Sequence, residues 1–181
     1  MTDMSIALQE VKVRALKCAW DNACNRFDFY GTLLDLFNMQ EALQLEDMLN
    51  SFTATWQTHG TPVNGFATLF FGRFIVLMAD ETEAGVSGCS TDSSVRLIKQ
   101  IENQFGVALF DRQMLAFFIK DKIELIPLSQ ICYAAENGFI KRETIYFNNL
   151  VQTKQELIDK WMIPVGESWI TNKIKQANSV P

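Results

Sequence analysis

The sequence predicts an α+β domain in which helices cover an antiparallel sheet. Three observations predict it. Two pairs of apolar runs, 66–71 with 74–79 and 114–119 with 122–126, are joined by short turns and read as β-hairpins. Two amphipathic stretches with apolar residues at spacings of three and four precede and follow the first hairpin. The chain has 181 residues, 48% of them apolar and 14 of them Phe, which suits one domain with an aromatic-rich core.

Along the chain, residues 1–25 carry no firm assignment, although Leu8, Val11, Ala15 and Ala19 fit one helical face. Phe27 and Phe29 alternate with Asp28 and Tyr30, which predicts a short strand ending at Gly31. Asn38 followed by Glu41 is a capping pair. Leu45, Leu49, Phe52 and Trp56 then form one helical face, which His59-Gly60 and Pro62 are expected to stop. The hairpin of 66–71 and 74–79 turns near Gly72, and its second strand, Phe74-Ile75-Val76-Leu77-Met78-Ala79, is apolar on both faces. Such a strand needs cover on both sides.

A polar loop from Asp80 to Ser90 follows, and Val95, Ile98, Ile101 and Phe105 mark a second helix closed by Gly106. The second hairpin turns at Lys120-Asp121 and ends at Pro127. A short helix over 129–136, a strand over 144–147 and a helix opened by Thr153 and Glu156 complete the order. The tail from about Thr171 to Pro181 reads as polar and loose.

The order from Arg26 is β-α-β-β-α-β with additions, which matches a ferredoxin-like split β-α-β core over Arg26–Ile119 with a C-terminal strand and helix extension. In that topology the first helix ends and the second begins at one edge. His59–Asn64 should therefore lie near Asp80–Asp92.

Composition excludes several classes. A net charge of −5 repels phosphate backbones, so no nucleic-acid partner is expected. No apolar run reaches the length of a membrane span, and the first residues lack a secretory pattern. Cys18, Cys24, Cys89 and Cys132 form no C-x-x-C pair, and there is one His, so no metal site and no cofactor is expected. These features point to a cytoplasmic protein with free thiols.

The segment Gly85-Val86-Ser87-Gly88-Cys89-Ser90-Thr91-Asp92-Ser93-Ser94 stands just before a helix. A thiol at a helix start can have a lowered pKa and act as a nucleophile, which makes Cys89 a catalytic candidate with His59 or Asp92 assisting. The same residues also suit a hydroxyl-rich helix cap with Cys89 as a small packed residue, and that arrangement is the commoner one. Asp80 and Glu81 after the apolar strand, Ser90, and the pair Asn148-Asn149 are ligand-binding candidates. Asp80, Glu81, Asp92 and Asp111 would hold a hard cation only if they converged.

Gly88-Cys89-Ser90-Thr91-Asp92-Ser93-Ser94, Phe110-Asp111-Arg112, Phe147-Asn148-Asn149-Leu150-Val151 and Glu167-Ser168-Trp169 together resemble a family of small bacterial proteins frequently labelled "ABC transporter ATPase". The resemblance covers roughly Arg26–Ile170 and leaves out the first 25 residues. The label implies ATP hydrolysis, which the residues do not carry. The chain has no Gly-Lys dipeptide for a phosphate-binding loop and no L-S-G-G-Q signature. Phe74–Ala79 followed by Asp80-Glu81 has only the outline of a Walker B strand.

The sequence thus predicts a non-catalytic module that binds a small ligand or a protein partner. A cysteine-dependent enzyme built on Cys89 is the alternative. A homodimer through a sheet face or edge is the expectation carried by the fold class alone.

Overall fold

The computed structural model describes residues 26–32, 37–80 and 88–177. The candidate Glu81 and the helical face of Leu8, Val11, Ala15 and Ala19 lie outside them. The elements are β1 (Arg26–Thr32), α1 (Met39–Thr55), β2 (Gln57–Thr58), β3 (Thr61–Pro62), β4 (Gly65–Phe70), β5 (Phe74–Ala79), α2 (Gly88–Phe105), β6 (Met114–Ile119), β7 (Lys122–Pro127), α3 (Ile131–Glu136), β8 (Ile145–Phe147), α4 (Lys154–Lys160), β9 (Met162–Pro164) and α5 (Ile170–Ala177). The fold is α+β, with antiparallel sheets throughout these residues.

β5 is the centre of a three-stranded sheet, between β1 and β4. Its alternation explains why it is apolar on both faces. Phe74, Val76 and Met78 point into a cluster with Ala116, Phe147, Leu157 and Trp161. Ile75 and Leu77 point the other way, onto Leu45, Leu49, Ile98 and Ile101 of α1 and α2. The four-stranded sheet β7-β6-β8-β9 repeats the arrangement. Ala116 packs toward the first sheet, while Leu115 and Phe117 pack on Ile131, Ala134 and Ile170 of α3 and α5. The result is four layers: a helix pair, two sheets face to face, and a second helix pair.

The layer between the sheets is aromatic. Phe74 stacks on Phe147 with ring centroids 4.8 Å apart, and Trp161 lies 5.3 Å from Phe74, 5.4 Å from Phe147 and 5.5 Å from Phe70. Rings in such tilted and edge-on arrangements add about 0.5–1.5 kcal/mol per pair beyond area burial. Phe71 has a positive φ of 54° in the turn ahead of β5, an unusual conformation for a bulky residue. Its ring contacts with Phe70, Phe74, Phe147 and Trp161 offset that cost.

The ferredoxin-like expectation fails at its fourth strand. β1, β5 and β4 take the 1-3-2 order of a split β-α-β. The fourth strand should then lie beside β1. Instead β6 pairs with β7 on one side and β8 on the other, in a separate sheet. Both edges of β6 are occupied there and both its faces are buried, so it serves as a core strand in its own right.

Three smaller expectations are also corrected. α1 stops at Thr55 with Trp56 as its cap, ahead of His59. His59 and Gly60, with φ of 49° and 81°, form the turn of the hairpin β2–β3. The tail expected to be loose holds α5 from Ile170 to Ala177, because Ile170 and Ile174 give it an apolar side to bury. α2 begins at Gly88, inside the stretch read as loop.

Local chemistry matches the sequence elsewhere. Asn38 Oδ1 accepts the Glu41 N–H at 2.9 Å while Glu41 Oε2 accepts the Asn38 N–H at 2.9 Å, a full capping box. Lys120 and Asp121, at φ 47° and 64°, make the two-residue turn between β6 and β7. The Glu102 carboxylate accepts the N–H groups of Leu109 and Phe110 at 2.6 and 3.2 Å, pinning the loop after α2. Trp169 donates its indole N–H to the Tyr146 hydroxyl at 3.3 Å, clamping α5 onto the second sheet. Burial pushes the Tyr146 phenol above its ordinary value, and the Trp169 bond opposes this more weakly.

Candidate functional site

α1, the hairpin β2–β3, the start of β4 and the end of β5 meet at one edge of the first sheet. Val63 donates its N–H to the Trp56 carbonyl at 2.9 Å, closing the hairpin back onto the end of α1. Asp80 donates its N–H to the Asn64 carbonyl at 2.9 Å, joining the end of β5 to the start of β4. β2 packs against α2. Trp56, Val63 and Ala79 bury a small cluster beneath this edge, with Phe52 against it. Gly65 is required there, since a Cβ would lie 2.7 Å from Trp56 Cε3.

The edge carries several of the residues singled out from the sequence. His59 is exposed on the hairpin turn, and Asp80 is half-buried. Cys89 and Ser90 occupy the first turn of α2, and Asp92 is exposed in the turn after. Asn148 is elsewhere, at the end of β8 in the second sheet. It donates its N–H to the Trp161 carbonyl at 2.6 Å, and its Oδ1 accepts the Leu150 N–H at 3.3 Å. That is turn chemistry holding β8 to β9. Asn149 follows it, half-buried. Among the described residues no three His, Cys, Asp or Glu side chains converge as a metal site. Asp111 instead accepts the Gln113 N–H at 2.8 Å in a tight turn.

Among the described residues a concave cleft lies between α1 and α2. It has a volume of about 480 Å³. Met48, Phe52 and Leu97 form an apolar floor continuous with the helix-side core. Asp47, Ser51 and Thr55 line the α1 wall, and Ser93, Arg96 and Gln100 line the α2 wall. Each set recurs at spacings of three or four, so each faces one side of its helix. Arg96 Nη2 donates to Ser93 Oγ at 3.1 Å. Thr55 Oγ1 donates back to the Ser51 carbonyl at 3.0 Å, so its proton is used within the helix. In the helix register Cys89 stands one turn ahead of Ser93.

Of the cleft residues the sequence reading singled out Phe52, on the apolar face of α1, and Ser93, at the end of the segment 85–94. The signal for the others was present as Asp47-x-x-x-Ser51-x-x-x-Thr55 and Ser93-x-x-Arg96-x-x-x-Gln100, two polar rows flanking the apolar stripes. What was missing is that the two rows face each other.

The described residues form a four-layer α+β arrangement with an open cleft between α1 and α2. Comparison with family models, with curated proteins and with solved structures gives no match to this chain in any of the three. Among the described residues no helix is long and apolar enough to cross a membrane.

Proposed function

We propose that this protein is a non-catalytic binding module that takes a small ligand in the cleft between α1 and α2. The observation that carries this is the cleft itself, an apolar floor between two polar walls. Its volume of about 480 Å³ falls in the range of small-molecule sites. The walls supply donors from Arg96, Ser51 and Gln100 and acceptors from Asp47, which is enough to orient a ligand. The test is an amide chemical-shift map of the whole chain against a library of small polar fragments. Shifts clustering on 47–55 and 93–100 support the reading, and hits scattered over the surface sink it.

A cysteine-dependent enzyme is the second reading. It is favoured by the position of Cys89 in the first turn of α2, next along the helix from the cleft wall. Iodoacetamide at neutral pH should then label Cys89 much faster than the half-buried Cys132. Equal, slow labelling removes this reading.

A homodimer through a sheet edge fits the described strands, since β5 and β6 have both faces packed. Among the described residues β7 is such an edge, hydrogen-bonded to β6 alone. A single-chain mass by light scattering counts against it.

A further inference from the structure

Among the described residues the cleft is lined by one acidic and one basic side chain, and they belong to opposite walls: Asp47 on α1 and Arg96 on α2. The two helices run antiparallel. Phe37, just ahead of α1, meets Phe105, the last residue of α2, with ring centroids 5.2 Å apart. At the other end β2, just after α1, packs on α2. The groove therefore has Asp47 and Gln100 toward one end and Thr55 and Ser93 toward the other, with Arg96 between.

Asp47 and Arg96 do not neutralise each other. Among the described residues neither enters an ion pair, and the Arg96 guanidinium donates to Ser93. A guanidinium has five N–H donors, so most of that fork is left for a ligand. Packed helices have axes about 8–10 Å apart, which sets the scale of the gap between the walls. Met48, Phe52 and Leu97 lie on the floor between. A singly charged ligand would satisfy one wall and meet a like charge on the other.

We propose that the cleft takes a small zwitterion, its carboxylate on Arg96, its ammonium on Asp47 and a short apolar chain over Met48, Phe52 and Leu97. This rests on the reading of the cleft as the ligand site. It names the ligand class as an amino acid whose two charges are separated by several methylenes.

The test compares 5-aminopentanoate, pentanoate and pentylammonium by amide-shift titration of the full chain. 5-Aminopentanoate should bind about threefold tighter than either analogue, since each solvent-facing ion pair contributes little alone. Arg96→Gln should abolish its advantage over pentylammonium, and Asp47→Asn its advantage over pentanoate. Both positions are exposed, so both variants should keep the parent melting curve. Raising the salt concentration should shrink both advantages. If an analogue binds in the cleft as tightly as 5-aminopentanoate, the zwitterion is overturned and the cleft reading stands. If none of the three moves the amides of 47–55 and 93–100, both fall.

Discussion

Gly65→Ala tests the edge that holds the cleft in place. An added Cβ would lie 2.7 Å from Trp56 Cε3, 3.1 Å from Cζ3 and 3.6 Å from the Met78 carbonyl oxygen. Trp56 is 3% exposed, so its ring has little room to retreat. Overpacking of this kind costs about 1–3 kcal/mol. Against it, Ala in place of Gly restricts the unfolded chain and returns about 0.4–1 kcal/mol. A net loss of about 1–2 kcal/mol is therefore expected, since the clash exceeds the entropic gain. Urea unfolding should show a lower midpoint at an unchanged slope. For a chain of this size the melting temperature should drop by roughly 2–4 °C per kcal/mol.

The decisive control is Trp56→Leu. With the ring gone, the added methyl has space, and Gly65→Ala should become neutral or slightly stabilising. The cycle should give a coupling of at least about 1 kcal/mol. Thr55, next to Trp56, lines the cleft, so its amide resonance should shift in Gly65→Ala alone. A Gly65→Ala variant as stable as the parent, or equally destabilised with and without Trp56, would refute the account of this edge.

Phe74→Ala should cost about 3–5 kcal/mol, a large part of the total stability of a typical domain, because Phe74 is fully buried between the sheets. Phe139→Ala, at a residue 59% exposed, should stay within about 0.5 kcal/mol on the same urea assay. Asn38→Ala removes the cap of α1 and should cost about 1 kcal/mol, while Asn38→Asp should keep most of it. Tyr146 holds its proton more tightly folded than unfolded, so its contribution is complete below about pH 10 and is lost as pH rises through the raised value. Tyr146→Phe should therefore flatten the alkaline limb of a melting temperature profile, and a limb unchanged in that variant would rule Tyr146 out as its source.

Much of the candidate site was legible as separate pieces. Of the expected juxtaposition of 59–64 with 80–92, the Asn64–Asp80 bond joins one pair, and it follows from the β4–β5 register, in which Gly65 faces Ala79. His59, however, was read as a helix stop. A two-residue turn with positive φ at both positions and a helix terminus use the same His-Gly pair, and the short strands β2 and β3 are too brief for periodicity to separate the two. Asp47 and Arg96 stood in polar rows like those of any exposed helix face, since charged residues there are ordinary. Their meaning comes from facing one another.

The sequence by itself determined what is written in neighbouring residues. It specified the capping box at Asn38, the turn at Lys120-Asp121, the strand limits of Phe74–Ala79 and that strand's need for cover on both faces. These depend on φ/ψ preferences, local hydrogen bonds and periods of two and 3.6, all set within a few residues. Only the tertiary structure decided what supplies the cover. β6 joined β7 and β8 in a second sheet, leaving the edge of β1, and α5 formed where the tail was expected to be loose. An apolar face records that it must be buried and carries no mark of its partner, because hydrophobic burial is non-directional. The α+β class was therefore readable from the chain, while the four-layer packing and the cleft between α1 and α2 came from which faces met.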